Sequence, residues 1–101
     1  MANSKEAFAL GLAQKAGKLQ SGDFAVKTAL KSGGVELLVI AADAAPNTKK
    51  ELYFLAEQGE VSVKEILNRA ELGHAIGKAP RAAVAIMDPN FAKMIGGITT
   101  T

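Results

Sequence analysis

Cysteine is absent from the 101-residue chain, tryptophan is absent too, and histidine occurs once. Without thiols there is no disulfide framework, no thiolate catalysis and no cysteine-based zinc site, a composition that fits a reducing cytoplasm. The lone His74 has no histidine or cysteine partner for a metal, so no cofactor is expected. Aromatic residues make up 5% of the chain, and the core must therefore come from Ala, Val, Ile and Leu, which suits helices packed closely on a sheet. Long apolar runs are lacking as well. Leu37 to Ala42 stops at Asp43, far short of the ~20 residues of a membrane span. Ala7 to Ala13 has Glu6 before it and Gln14 and Lys15 after it, the flanks of a helix and not of a signal peptide. No membrane is expected among the partners.

What is present, 49% hydrophobic and 22% charged residues, is the composition of one domain filling residues 1–101. Residues 96–101 read as a flexible tail. The net charge of +2 does not by itself imply a nucleic-acid partner. Its distribution is more informative: Lys15 to Lys31 holds four lysines and one acid, Asp23, for a local charge of +3 that leaves the rest slightly acidic.

Helical and strand signals alternate along the chain. Ser4 is placed to cap a helix over Lys5 to Ala16 with Phe8, Leu12 and Ala16 as its apolar stripe, and Gly17 ends it. A short strand begins at Leu19. Ser21 then caps a helix from Gly22 to about Ser32 that buries Val26, Ala29 and Leu30, with Gly33 and Gly34 as its stop. Val35 to Ala41 reads as a strand covered on both faces. Thr48 and Glu51 have capping-box spacing for a third helix with Leu52, Leu55 and Ala56 on its stripe and its end at Gly59. Val61 to Leu67 follows as a strand. Asn68 and Glu71 open a short helix through Leu72 and Ile76, Ala82 to Met87 is a buried strand, and Asp88 with Pro89 starts a last helix. Helices on both faces of a central sheet follow from this alternation, with Val39, Leu55, Ile76 and Val84 expected inside.

Motifs for chemistry fail on inspection. Gly11 to Lys18 resembles a phosphate loop superficially, but five residues separate Gly11 from Gly17 where four are needed, and Leu19 stands where Ser or Thr is required. Gly73 to Gly77 with Lys78 has only three intervening residues, and Ala79 cannot hold magnesium. His74 reads as a surface or packing histidine, and Asp43 as a turn residue ahead of Pro46. The chain is not expected to be an enzyme.

A binding surface is better supported. Phe24, Lys27, Thr28 and Lys31 share a helical face away from Val26, Ala29 and Leu30, which predicts an exposed Phe24. Free N–H groups at Ser21 to Phe24 could meet a phosphate, Phe24 could stack a base, and the lysines could neutralise phosphates. Lys78-Ala79-Pro80-Arg81 adds two charges on a loop that proline stiffens. These residues suit an RNA surface; the alternative is a protein-interaction module on the same scaffold anchored by Phe24.

Particular words accompany this order of elements: Leu10-Gly11-Leu12-Ala13-Gln14-Lys15-Ala16-Gly17-Lys18, Ser21-Gly22, Ala42-Asp43-Ala44, Asn47-Thr48, and Leu72-Gly73-His74-Ala75-Ile76-Gly77-Lys78. Over about residues 5 to 95 the chain resembles the L-seven-Ae ribosomal protein family, in its short bacterial members. The resemblance implies a three-layer α/β/α sandwich on a mixed four-stranded sheet. It also implies a cytoplasmic, non-catalytic binder of structured RNA, ribosomal or ribosome-associated, whose relatives recognise kink-turns. The resemblance matches Gly22 to the glycine that opens the family's helix-start motif, and Lys78, Ala79, Pro80 and Arg81 to its second contact loop. Together with the helix-face reading, this makes the expected RNA contacts Lys18, Ser21, Gly22, Asp23, Phe24, Lys27, Lys31, Lys78, Ala79, Pro80 and Arg81. Kink-turn readers of the family follow the glycine matched by Gly22 with one residue and then Asn-Glu, and place a basic residue three positions after the Glu. Here those positions hold Phe24, Ala25 and Thr28. On this reading Lys27, Lys31, Lys78 and Arg81 lie on one side of the fold, with Gly22 and Phe24 between them.

Overall fold

The computed structural model describes residues 4–97. In chain order its elements are α1 (Ser4–Lys15), β1 (Leu19–Ser21), α2 (Asp23–Ser32), β2 (Leu37–Ile40), α3 (Pro46–Gln58), β3 (Val63–Glu65), α4 (Arg69–Ala75), β4 (Ala83–Ile86) and α5 (Pro89–Gly96). The strands form one sheet in the order β1-β4-β2-β3. β4 runs antiparallel to both β1 and β2, and β2 runs parallel to β3. This is the mixed four-stranded sheet expected from the sequence.

Every residue of β2 and β4 is buried, because side chains alternate between two covered faces. Leu37, Val39, Val84 and Ile86 point into a core with Ala9, Leu10 and Ala13 of α1, Leu72 of α4 and Ile95 of α5. Leu38, Ile40, Ala83 and Ala85 point the other way, onto Val26, Ala29 and Leu30 of α2 and Leu52 and Ala56 of α3. The result is a three-layer α/β/α sandwich. Small alanines in β4 let α2 and α3 approach the sheet, which is how so few aromatics suffice.

Several local expectations give way to tertiary packing. In α1 the buried side is Glu6, Ala9, Leu10 and Ala13, while Phe8, Leu12 and Ala16 are exposed. Residues 7–13 of this helix are apolar or glycine throughout, so its spacing did not determine which stripe faces inward. Gly11 confirms the orientation, since a Cβ there would sit 3.2 Å from the Ala75 carbonyl oxygen of α4. Ser4 lies within α1, and the cap expected of its side chain falls outside what the structure describes. Ser21 is the last residue of β1, and the N-cap of α2 is Gly22, at φ 95° and ψ 148°, a conformation that favours glycine. The Thr48 and Glu51 capping box does not form. α3 starts earlier, behind Ala45, with Pro46 in its first turn, where a fixed φ and a missing N–H cost nothing. Leu55 is half-buried, and Leu52 and Ala56 carry that face instead.

Other signals hold. Asn68 and Glu71 make the reciprocal capping box, Asp88 accepts from the Phe91 N–H at the head of α5, and Val39, Ile76 and Val84 are buried. The strand expected over Val61 to Leu67 narrows to Val63–Glu65, and Leu67 beyond its end turns to φ 61°. Gly96 closes α5 where a tail was expected, and residues 98–101 of that expectation lie outside those described.

Candidate nucleic-acid interface

The sheet sets α2 against the segment that leads from α4 into β4. Arg81 precedes β4 by two residues, and β4 pairs with β1, whose end feeds directly into Gly22. Gly22, Asp23 and Val26 therefore face Pro80, Arg81 and Ala82 across a cleft of about 220 Å³ floored by Leu52 and Ala83. The Arg81 guanidinium reaches the Ser21 hydroxyl at 3.5 Å and the Ala79 carbonyl at 3.2 Å. These contacts hold its charge at the cleft mouth.

The loop itself is shaped by α4. The Lys78 N–H donates to the Gly73 carbonyl at 2.9 Å, and the Arg81 N–H donates to the Arg69 carbonyl at 3.1 Å. Gly73 is buried, and a Cβ there would come within 2.2 Å of the Ala79 oxygen and 2.9 Å of Pro80 Cα. Only a residue without a side chain lets the loop lie this close. Gly73 was not singled out as a functional position, although a glycine inside a helical pattern is itself a sign of close approach.

At the head of α2 no side chain caps the first turn, and the Val26 N–H takes the Gly22 carbonyl at 2.9 Å. The N–H groups of Asp23, Phe24 and Ala25 precede this bond and lack intrahelical acceptors, the situation in which a helix start attracts an anion. Asp23 adds a negative charge there, but its carboxylate is engaged by Lys27 at 3.1 Å. Lys27 also contacts Glu51 of α3 at 2.8 Å. Hydrogen bonding to Glu51, and then to Asp23, raises the Lys27 ammonium above its usual 10.5. In this state Lys27 ties two helices together. Lys18, Lys31 and Lys78 are exposed and make no ion pair among the described residues.

Phe24 is 84% exposed and does not line the cleft. It borders a second, shallower depression on the other side of the first turn, with Gln20, Ala25, Thr28, Ser32 and Met87. The structure thus brings Gly22, Asp23, Pro80 and Arg81 together and sets Phe24 beside them on an adjoining face. His74 is exposed in the last turn of α4. Among the described residues no cluster of His, Cys, Asp or Glu could hold a metal, and no helix is long and apolar enough to cross a membrane.

Comparison with known proteins places the chain in a family. The sequence is 35% identical over 86 residues to the RNA-binding protein YlxQ of Bacillus subtilis, covering 85% of this chain and 86% of that one. It is 38% identical over 81 residues to the large ribosomal subunit protein eL30B of Schizosaccharomyces pombe, covering 78% and 69%. A solved structure from Bacillus halodurans superposes with a TM-score of 0.88 at 34% identity, over 94% of this chain and 96% of that one. Residues 5–95 match the ribosomal protein L7Ae/L30e/S12e/Gadd45 family, and to that family the chain belongs.

Proposed function

We propose that this protein binds structured RNA, ribosomal or ribosome-associated, in the cytoplasm and without chemistry, through the start of α2 and the Lys78 to Arg81 loop. The observation that carries the reading is the pairing of the uncapped α2 start at Gly22 with Arg81 across one cleft. Free N–H groups and a fixed guanidinium together suit a phosphate, and the apolar floor suits part of a nucleotide. The family is a ribosomal one, and the Bacillus subtilis relative is named as an RNA-binding protein. Lys18, Lys31 and Lys78 add charge around the site, while Lys27 holds α2 to α3.

Titration against a labelled kink-turn RNA over a range of salt concentrations tests this. Affinity should fall steeply with salt, because phosphate contacts release counterions. Lys31→Ala with Lys78→Ala should lower the salt slope by roughly one to two units and leave folding unchanged. The exposure of Phe24 supports a second reading, a protein-interaction module. Binding to a protein but not to RNA, with little dependence on salt, would favour it.

A further inference from the structure

Phe24 differs from the cleft residues in exposing almost its whole ring, and the depression beside it has a definite make-up. Ala25, Ala29 and Met87 supply an apolar floor, and Gln20, Thr28 and Ser32 supply a polar rim. Met87 is fixed there because its N–H donates to the Lys18 carbonyl at 2.8 Å, which joins the end of β4 to the start of β1. Lys31 lies seven residues after Phe24 and three after Thr28, on the same helical face, and is exposed. Lys31 makes no ion pair among the described residues, so its charge is available. A flat aromatic surface, neighbouring hydrogen-bonding groups and a free cation match an unpaired nucleotide: ring on ring, polar base edge on the rim, phosphate at the lysine.

We propose that Phe24, with the depression formed by Gln20, Thr28, Ser32 and Met87, is a stacking subsite for one unpaired nucleobase of the bound RNA. This rests on the RNA-binding function proposed above and adds to it a second contact area, separated from the Gly22 and Arg81 cleft by the first turn of α2. Phe24 and Ala25 carry no group that reads base edges, so the ring itself asks only for an unpaired base, and any preference among bases falls to the Gln20, Thr28 and Ser32 rim. A paired base has its faces covered by its neighbours in the stack and cannot reach the ring.

The test uses the full chain and a fluorescent kink-turn RNA, together with versions in which each unpaired nucleotide is replaced in turn by an abasic one. Phe24→Ala should weaken binding about five- to 150-fold while leaving the salt slope unchanged. Phe24→Tyr keeps the ring and should bind nearly as the parent does, whereas Phe24→Leu keeps apolar bulk without a π-face and should behave like Phe24→Ala. At one abasic position the parent should lose affinity and Phe24→Ala should lose little more, the coupling that direct stacking requires. Melting curves should coincide, given the exposure of the ring. If Arg81→Ala weakens RNA binding but Phe24→Ala does not, or if Phe24→Leu matches the parent, the stacking subsite is refuted and the RNA-binding function stands. If the parent binds neither the kink-turn nor its abasic forms, both fail. Capture of a protein through Phe24 in that case would assign the ring to the interaction module.

Discussion

A Cβ on Gly73 would lie 2.2 Å from the Ala79 carbonyl oxygen, so the absence of one side chain in α4 sets how the Lys78 to Arg81 loop sits. The loop inherits its position from this contact and from the Lys78 and Arg81 N–H bonds onto α4. Its basic residues are presented by a packed helix, which limits the entropy lost on binding.

Gly73→Ala should therefore impair both fold and binding. Forcing a methyl group against backbone atoms costs about 1–3 kcal/mol, and the loop must shift to relieve it. A denaturant titration should show the destabilisation, and amide chemical shifts of residues 78–81 should move. Unchanged shifts with unchanged stability would contradict the contact.

Core truncations should separate Leu52 from Leu55. Leu52 is 1% exposed, between the sheet and α2, and Leu52→Ala should cost about 2–5 kcal/mol by leaving a cavity. Leu55 is half-buried, and Leu55→Ala should cost clearly less. Denaturant midpoints at equal slope are the measurement, and a reversed order would mean that α3 is rotated from the orientation described.

Specificity should respond to the residues after Gly22. Phe24→Asn with Ala25→Glu introduces groups that hydrogen-bond to base edges, where the parent offers a ring and a methyl. Compared with Phe24→Ala, which lacks the ring in the same way, the double variant should bind a standard kink-turn more tightly in a fluorescence titration. Equal binding by the two would show that Asn and Glu at these positions do not reach the base edges of this RNA.

A pH effect is expected away from the cleft. Glu65 of β3 accepts from the Tyr53 hydroxyl and from Lys49 at 3.1 Å, which lowers its carboxyl below the usual 4.5, with Tyr53 the larger cause. A carboxyl lowered in the folded state adds stability above its unfolded value, and that stability is lost as the pH falls through the folded one. Tyr53→Phe should move the Glu65 titration, followed by NMR, back toward 4.5 and reduce the dependence of stability on acid pH. An unmoved titration would show that the hydroxyl does not hold the carboxylate.

Much of the fold was legible because local and tertiary signals agreed. The Asn68 and Glu71 capping box, the Asp88 and Pro89 start of α5, and the continuous apolar runs of β2 and β4 are short-range patterns that packing reinforces. Phe24 was expected to be exposed because Val26, Ala29 and Leu30 already claim the buried side of α2. Where a segment offered two equivalent stripes, as α1 does with Phe8 and Leu12 against Leu10 and Ala13, the chain alone held no preference.

The sequence by itself determined the order of helices and strands, the exposed ring of Phe24 and the basic character of Lys15 to Lys31. Tertiary structure alone decided that Lys27 is spent between Asp23 and Glu51, that Gly73 carries the Lys78 to Arg81 loop, and that Arg81 faces Gly22. Each of these joins at least two different elements. Periodicity and capping act over a few residues, whereas the partner of a charge or the neighbour of a missing Cβ is fixed only when the sheet brings distant segments together.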